Sequence, residues 1–231
     1  MKFAALMMAA VVSLFAAEND RKADDLKRIQ AATSTLVDVQ HAKDGGVPQD
    51  LLQRARCVGV IPATKNVAFL LGGQYGKGIV TCRINDTNRW SAPAFIVLEG
   101  GTIGLQAGVA ETDVVFTLMN RHAQQRIETE KVEIGANVKA AAGPIGRSIS
   151  AGTNAWMRDE MLSWSRARGV FAGVDLKGGS LRLDKDDDAA LYGAHVTAGE
   201  ILDGKTPAPA EAHALHRELE RYAHKAPVTG E

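Results

Sequence analysis

Several features that mark common protein classes are scarce or missing in this sequence. Lysine plus arginine and aspartate plus glutamate are equal at 27 residues each. The chain therefore has no global basic field that would attract nucleic acid or anionic membranes. Aromatic residues make up only 5% of the chain, whereas glycine is abundant at 23 residues. This composition favours tight turns and closely approaching backbones over a bulky aromatic core.

Motifs of the common catalytic and metal-binding classes are also missing. There is no GxSxG nucleophile elbow, no reactive-cysteine signature and no CxxC or His/Cys ligand spacing. The glycine cluster Gly72–Gly78 lacks the spacing of a Walker phosphate loop, and we interpret it as a hairpin turn. Three aspartates between residues 184 and 188 have calcium-loop spacing, but the glycine and glutamate that such a loop requires are absent. We therefore predict no enzyme activity, no cofactor and no metal site.

The N-terminus has the pattern of an export signal. Lys2 is followed by an uncharged run from Phe3 to Ala17. A run of about 15 residues is too short for a typical spanning helix and fits the apolar region of a signal peptide. Small residues at Ala16 and Ala17 precede Glu18, which predicts cleavage near residue 17 and an exported, periplasmic or secreted chain. The alternative is an uncleaved N-terminal anchor.

The sequence contains two cysteines, Cys57 and Cys82. In an oxidising compartment they would be expected to form one disulfide, which closes a loop of about 25 residues and stabilises by roughly 3 kcal/mol. The alternative is two buried free thiols that pack as small apolar side chains. We favour the disulfide.

Helix and strand patterns follow one another along the rest of the chain. Apolar residues at steps of three and four predict an amphipathic helix from Asn19 to His41, and Pro48 predicts the first position of a second, short helix. The central stretch Arg56–Arg83 contains three apolar runs separated by proline and glycine, which predict three strands with tight connections. These runs are Val58–Ile61, Val67–Leu71 and Ile79–Thr81.

The second half of the chain predicts more strands and three more helices. Strands are predicted at APAFIVLEG, TIGLQAGV and TDVVFTLM, and two or three more between Leu162 and Asp184. Helices are predicted at NRHAQQRIETEK, at DKDDDAALYG and at EAHALHRELERYAHK. The predicted fold is a single α+β domain. Helices at both ends flank a glycine-rich, largely antiparallel sheet, which is either open or barrel-like.

A series of ordered motifs runs through nearly the whole chain after the N-terminal run. They include VIP (60–62), GGQYGKG (72–78), WSAPAF (90–95), GGTIGLQAG (100–108), GPIGR (143–147), GSL (179–181) and LYG (191–193). This series resembles the SYLF-domain family, also called the Ysc84-type actin-binding domain. The resemblance implies a SYLF-like domain at residues 18–226, with a core at 20–202 and a C-terminal helix at 210–225. Residues 1–17 are then the signal peptide, and 227–231 are a disordered tail.

The resemblance also implies a lipid-binding module. Eukaryotic members of the family bind phosphoinositides through a basic amphipathic N-terminal helix, and fungal members also bind and bundle actin filaments. By this resemblance, the corresponding helix in this sequence is Arg21–Val39. The candidate lipid-binding residues are cations of this helix and of the central stretch: Lys22, Lys27, Arg28, Lys65, Lys77 and Arg83.

The sequence departs from this pattern in the charge of the helix. Asp20, Asp24 and Asp25 neutralise it, which weakens its attraction to anionic lipid. Export would also separate the protein from actin. We therefore predict a non-enzymatic envelope protein that binds lipid or another anionic amphiphile at a membrane surface, with no nucleic-acid partner. One alternative is a periplasmic protein-interaction or structural module, and another is an uncharacterised hydrolase, which would need a pocket with convergent titratable groups.

Overall fold

The computed structural model describes residues 2–42, 46–68, 73–85, 87–100, 108–129, 131–145, 159–167 and 170–224. Within these ranges the chain forms six helices and nine strands. The helices are α1 (Lys2–Gln40), α2 (Gln49–Arg54), α3 (Arg121–Thr129), α4 (Lys185–Tyr192), α5 (Ala198–Leu202) and α6 (Ala212–Tyr222). The strands are β1 (Cys57–Ala68), β2 (Gly73–Cys82), β3 (Ala94–Gly100), β4 (Gly108–Leu118), β5 (Val132–Glu133), β6 (Ala140–Ala142), β7 (Met161–Ala167), β8 (Val170–Gly173) and β9 (Gly179–Leu183).

The strands form one curled sheet that resembles half of a barrel. Its order is β5-β9-β3-β2-β1-β4-β7-β6, and β8 also pairs with β7. All of these pairings are antiparallel except the one between β6 and β7. The prediction of a single α+β domain with a largely antiparallel sheet and flanking terminal helices is therefore confirmed.

Both faces of the sheet are covered by helices. On one face, Ile29 and Leu36 of α1 and Leu215 and Leu219 of α6 are buried in one apolar cluster, to which α2 also contributes. On the opposite face, Ile127 of α3 is buried in a second cluster together with residues of α5. Because side chains of a strand point alternately to the two faces, strands covered on both faces have near-continuous apolar runs. This explains runs such as AFIVL in β3.

The predicted disulfide is present. Cys57 and Cys82 are bonded to each other, and they are directly opposite residues of the antiparallel pair β1 and β2. Both side chains are completely buried. The disulfide therefore links two neighbouring strands in the interior of the sheet, and the alternative of two free thiols is excluded by this structure.

The prediction of separate strands at Val58–Ile61 and Val67–Leu71 was wrong. β1 runs from Cys57 to Ala68 without a break, and its pairing with β4 shifts register between Ile61 and Thr64. Proline is compatible with such an irregularity in a strand, and it therefore does not end the strand here. Residues 69–72 lie outside the described ranges, and so does most of the strand predicted at TIGLQAGV.

The interpretation of the glycine cluster as a turn was also wrong for its described part. The glycines from Gly73 onwards lie in β2. A Cβ atom at Gly76 would lie 2.7 Å from Ile61 Cγ2, and one at Gly78 would overlap the carbonyl oxygen of Val60. These glycines are needed because β1 approaches β2 closely, not because the chain reverses there.

This close approach leads to a prediction for Gly78→Ala. We expect the substitution to lower the free energy of unfolding by about 1–3 kcal/mol, because β1 must move to admit the new methyl group. Gly73→Ala is a matched control in the same strand, since no heavy atom lies within 4 Å of its Cβ position. Urea denaturation of both variants measures the difference. Equal stabilities would contradict a role for Gly78 in close strand packing.

Most of the other predicted elements are confirmed. Pro48 precedes α2 as its N-cap residue, one position before the predicted one. The predicted helices in the second half correspond to α3, α4 and α6, and the segment 162–184 contains three strands. The short helix α5 was not predicted. None of the helices in the described ranges is long and apolar enough to cross a membrane. The signal peptide at 1–17 and its cleavage stay predictions.

Candidate ligand-binding site

Helix α1 changes its environment at residue 25. All side chains from residue 18 to residue 24 are exposed. From Asp25 onwards, one stripe of the helix is buried, including Ile29, Ala32, Leu36 and Val39. The apolar stripe that the sequence predicts is therefore packed on the sheet, and it does not form a free amphipathic face in this state.

A buried group of charges joins this docked part of α1 to β2 and α4. Arg28 Nη1 donates hydrogen bonds to Asp25 Oδ1 at 3.0 Å and to Asp187 Oδ2 at 2.7 Å. Lys77 Nζ donates to the same Asp187 oxygen at 2.9 Å and lies 2.7 Å from Asp184 Oδ2. Asp25 and Asp187 are almost inaccessible to solvent. Together with Asp188, these residues are the charge cluster.

Asp188 occupies the innermost part of the charge cluster. Its Oδ1 accepts a hydrogen bond from the backbone N–H of Phe95 at 2.8 Å, and the guanidinium of Arg28 lies 5.3 Å from the Phe95 ring centroid. The Oδ2 atoms of Asp188 and Asp25 are buried and have no hydrogen-bond partner. The cluster therefore contains four carboxyl groups and two cations, and part of its hydrogen-bonding capacity is unused.

This excess of carboxyl groups changes their proton affinities. Burial, together with the charge of Asp187, raises the pKa of Asp25 to about 7. Burial likewise raises the pKa of Asp188 to about 7. Burial also opposes ionisation of Asp187, but the hydrogen bonds from Lys77 and Arg28 outweigh it and hold the pKa of Asp187 below its usual value. Asp25 and Asp188 therefore keep their protons up to a pH of about 7, which reduces the negative charge of the cluster.

The geometry of the charge cluster is that of an internal ion-pair network. Within the described chain, no group of three or more His, Cys, Asp or Glu side chains is arranged to hold a metal ion. Asp184 is the N-cap residue of α4, but its side chain contacts Lys77 and makes no capping hydrogen bond. The network connects α1, β2 and α4 and thereby holds α1 in place.

Three of the six predicted lipid-binding cations are held by groups of the protein itself, and one of them, Arg83, is completely buried. Arg28 and Lys77 meet in the charge cluster. Arg83 is completely buried, and its guanidinium donates to the backbone carbonyls of Ala55 at 3.0 Å and Leu52 at 3.1 Å, at the end of α2. It also donates to the carbonyl of Ala223, which follows α6.

The other three predicted cations point to solvent. Lys27 pairs with Asp24 at 2.8 Å in the exposed part of the surface. Lys65 is exposed on β1 and Lys22 is exposed on α1, and neither has an ion-pair partner among the described residues. The structure thus brings Arg28 and Lys77 together, whereas it separates Lys22, Lys27 and Lys65 from the cluster.

A groove of about 610 Å³ lies where α1 meets the segment that connects α4 to α6. We call it the α1 groove. Its lining includes apolar side chains from both sides, namely Leu26, Leu191, Val196, Pro207 and Pro209. Its volume is within the range of about 300–1000 Å³ that is typical of small-molecule sites.

Polar groups of the α1 groove include three exposed basic residues. Lys22, His195 and Lys205 have no ion pair in the described part of the chain. Glu200 also lines the groove, but its carboxylate accepts hydrogen bonds from the backbone and hydroxyl of Thr197, which form the capping box of α5. These hydrogen bonds lower the pKa of Glu200, so this side chain is ionised near neutral pH. The free hydrogen-bond donors of the groove are therefore the basic side chains.

Sequence reasoning identified Lys22 but missed the other side of the groove. That side comes from residues 191–211, which we predicted only as the end of one helix and a linker. The pattern Thr197-Ala-Gly-Glu200 is a capping-box signature and could have identified α5. No local pattern indicates that this segment packs beside α1, because that contact depends on the tertiary fold.

The fold and the site define an α+β domain whose N-terminal helix is locked to the sheet by buried charges and borders an open groove. Comparison with known proteins identifies the family of this domain. The family described as "Ysc84: Las17-binding protein actin regulator" matches residues 99–222. The chain belongs to this family, which is the SYLF-domain family that the sequence resembles.

Similar proteins include several from eukaryotes. An SH3 domain-containing protein of Schizosaccharomyces pombe is 35% identical over 176 residues, which cover 75% of this chain and 40% of the relative. LAS seventeen-binding protein 3 of Saccharomyces cerevisiae is 33% identical over 183 residues, covering 78% of this chain and 39% of the relative. SH3 domain-containing YSC84-like protein 1 of Homo sapiens is 29% identical over 192 residues, covering 83% and 56%. The chain thus spans about two fifths of the fungal relatives, and the family description and the name of the Saccharomyces cerevisiae relative refer to protein binding.

Proposed function

We propose that this protein is an exported, non-enzymatic envelope protein that binds lipid or another anionic amphiphile. The observation that carries the proposal is the α1 groove, in which an apolar lining is combined with unpaired lysines. An amphiphile has an apolar tail and a charged head group, and these two parts match the two kinds of lining residue. The resemblance to the SYLF-domain family, which implies lipid-binding members, motivates the same function.

The predicted cations differ in how accessible they are to the head group of a bound amphiphile. Lys22 lines the groove, whereas Lys65 is exposed on β1 and does not line it, so of these two only Lys22 can meet the head group of an amphiphile whose tail lies in the groove. Arg28 and Lys77 would have to leave Asp187, a buried carboxylate, before they bound an external anion. Leaving a buried charge unpaired costs several kcal/mol. We therefore assign head-group contact to Lys22 and Lys205 and a structural role to Arg28 and Lys77.

Vesicle binding tests this proposal. We expect the protein to co-sediment with vesicles that contain phosphatidylglycerol at low salt, and to bind less as salt increases, because exposed charges are screened. We expect the double variant Lys22→Gln/Lys205→Gln to bind severalfold more weakly than the wild type. Lys65→Gln is the matched control outside the groove and should bind like the wild type. Absence of binding to both anionic and neutral vesicles at low salt would reject lipid binding.

A second candidate function is that of a protein-interaction module of the envelope. It is favoured by the packing of the apolar stripe of α1 on the sheet, which leaves that stripe unavailable for membrane insertion in this state. The name of the relative LAS seventeen-binding protein 3 also describes a protein that binds another protein. Cross-linking that identifies one defined partner, combined with no binding to vesicles of either charge, would support this function over the first.

A further inference from the structure

We propose that the α1 groove binds one molecule of a single-chain fatty carboxylate, with the carboxylate held by Lys22 and Lys205 and the tail along the apolar lining. This inference rests on the proposed function and specifies its ligand. It concerns a monomeric ligand bound in a groove of the protein, which differs from attachment of the protein to a bilayer surface.

The docking of α1 is the first argument for a monomeric ligand. A helix that binds a bilayer inserts its apolar face between the lipids. In α1, the apolar residues Ile29, Leu36 and Val39 are at most 1% exposed, because they pack on the sheet. Apolar surface that an amphiphile can reach is present instead in the groove, where Leu26, Leu191 and Val196 are only partly buried. Tyr75, Ile145 and Val170 are also exposed, but none of them lines the groove, which combines apolar side chains from two sides with lysines.

The size of the groove is the second argument. At about 610 Å³ it has room for one small amphiphile, but it is open at the surface and no larger than an ordinary small-molecule site. A single alkyl chain fits a groove of this size better than the two chains of a phospholipid. The aliphatic stem of Lys22 can extend the apolar lining while its ammonium group stays at the rim.

The charges that face the groove favour a head group with a single negative charge. Lys22, Lys205 and His195 are the basic groups, and Glu200 and Glu211 are the acidic ones. The carboxylate of Glu200 accepts hydrogen bonds from Thr197, and the charge of Lys205 also helps to lower its pKa, so Glu200 competes in part with a ligand for Lys205. The formal charges of the two lysines and the two glutamates cancel, so a second negative charge on the ligand gains little net attraction, whereas it raises the cost of removing the head group from water. A fatty carboxylate is therefore the best match.

Calorimetric titration of the full chain with laurate below its micellar concentration tests the inference. We expect binding of one laurate per chain and weaker binding of decanoate and octanoate, by about five- to tenfold for each pair of methylenes removed. Dodecyltrimethylammonium, which has the same tail and the opposite charge, should bind at least about tenfold more weakly than laurate. Binding of this cation with the affinity of laurate would overturn the inference, because the lysines would then have no role.

Three single variants distinguish a groove ligand from adsorption elsewhere. Lys205→Gln should weaken laurate binding about fivefold, because it removes a free donor. Glu211→Gln should strengthen it about two- to threefold, because it removes a repelling charge. Lys65→Gln, outside the groove, should leave the affinity unchanged. All three positions are at the surface or half-buried, and unchanged circular dichroism melting curves would show that the variants fold.

The vesicle and laurate experiments separate failure of this inference from failure of the proposed function. Vesicle binding without laurate binding would overturn the groove as a fatty-carboxylate site and leave lipid binding in place. Absence of both would reject both proposals. Laurate binding that all three single variants leave unchanged would place the ligand outside the α1 groove and would also overturn the inference.

Discussion

Replacement of Arg83 by methionine is expected to lower the free energy of unfolding by about 3–5 kcal/mol. The guanidinium is completely buried, and it hydrogen-bonds the backbone carbonyls of Leu52 and Ala55 at the end of α2 and of Ala223 after α6. It also lies 4.5 Å from the centroid of the Trp90 ring. Methionine fills a similar space but leaves these carbonyls without their donor.

Urea denaturation of Arg83→Met and of two comparison variants measures this effect. Arg83→Lys should recover little of the loss, because one ammonium group cannot replace a planar guanidinium that reaches several acceptors. Arg182→Met is the control for loss of a surface arginine. The side chain of Arg182 is 40% exposed and pairs with Glu99. We expect that control to change the free energy of unfolding by at most about 1 kcal/mol. Similar losses in Arg83→Met and Arg182→Met would contradict a role for Arg83 in joining the two helix ends.

The second large effect is a pH-dependent gain of stability in Asp25→Asn. The folded chain keeps the proton of Asp25 up to a pH of about 7, because burial raises the pKa of this carboxyl, whereas the ordinary pKa is 3.8. The free energy of unfolding of the wild type should therefore fall as the pH rises from about 4 to 7. Asparagine imitates the protonated carboxyl and removes the share of this dependence that comes from Asp25, whereas the share of Asp188, whose pKa burial also raises to about 7, remains. The gain should be near zero at pH 4 and reach about 2–4 kcal/mol above pH 7.

Urea denaturation at pH 4, 5.5, 7 and 8.5 tests this expectation. Asp24→Asn is the matched control one residue away on α1, where the carboxylate is exposed and pairs with Lys27. It should show no gain that grows with pH. Asp187→Asn should instead lose stability at neutral pH, because the pKa of Asp187 is held low by Lys77 and Arg28. If Asp25→Asn were less stable than the wild type at pH 8.5, the charge cluster would need Asp25 in its ionised form.

The elements of this fold were predictable where their signal is local. The periodicity of residues 19–41 predicts the docked part of α1, and the aspartates before AALY predict the start of α4. The two cysteines suggested their own pairing. These predictions depend on backbone geometry and on solvent exposure over a few residues. Both properties are reflected in the local pattern of apolar and polar residues.

The glycines of the central stretch show where such reasoning ends. Glycine is favoured both in turns and at points where two backbones approach closely. The choice for Gly78 depends on Val60, which faces it from β1. Similarly, Arg28 looked like a surface cation, but its partner Asp187 lies 159 residues further along the chain. Charge and residue type are visible in the sequence, whereas burial and long-range pairing are decided by the tertiary structure.

The position of the disulfide has a consequence for strand register. In a sheet with one solvent-exposed face, a shift of the strand register by one residue is unfavourable, because it would move the apolar side chains into water. Here both faces of β1 are apolar, since Val58 and Val60 pack on one side and Ile61 packs on the other. Hydrophobic alternation therefore specifies the alignment of β1 with β2 only weakly. The covalent bond between Cys57 and Cys82 fixes that alignment, and it thereby determines which face receives α1 and which receives α3.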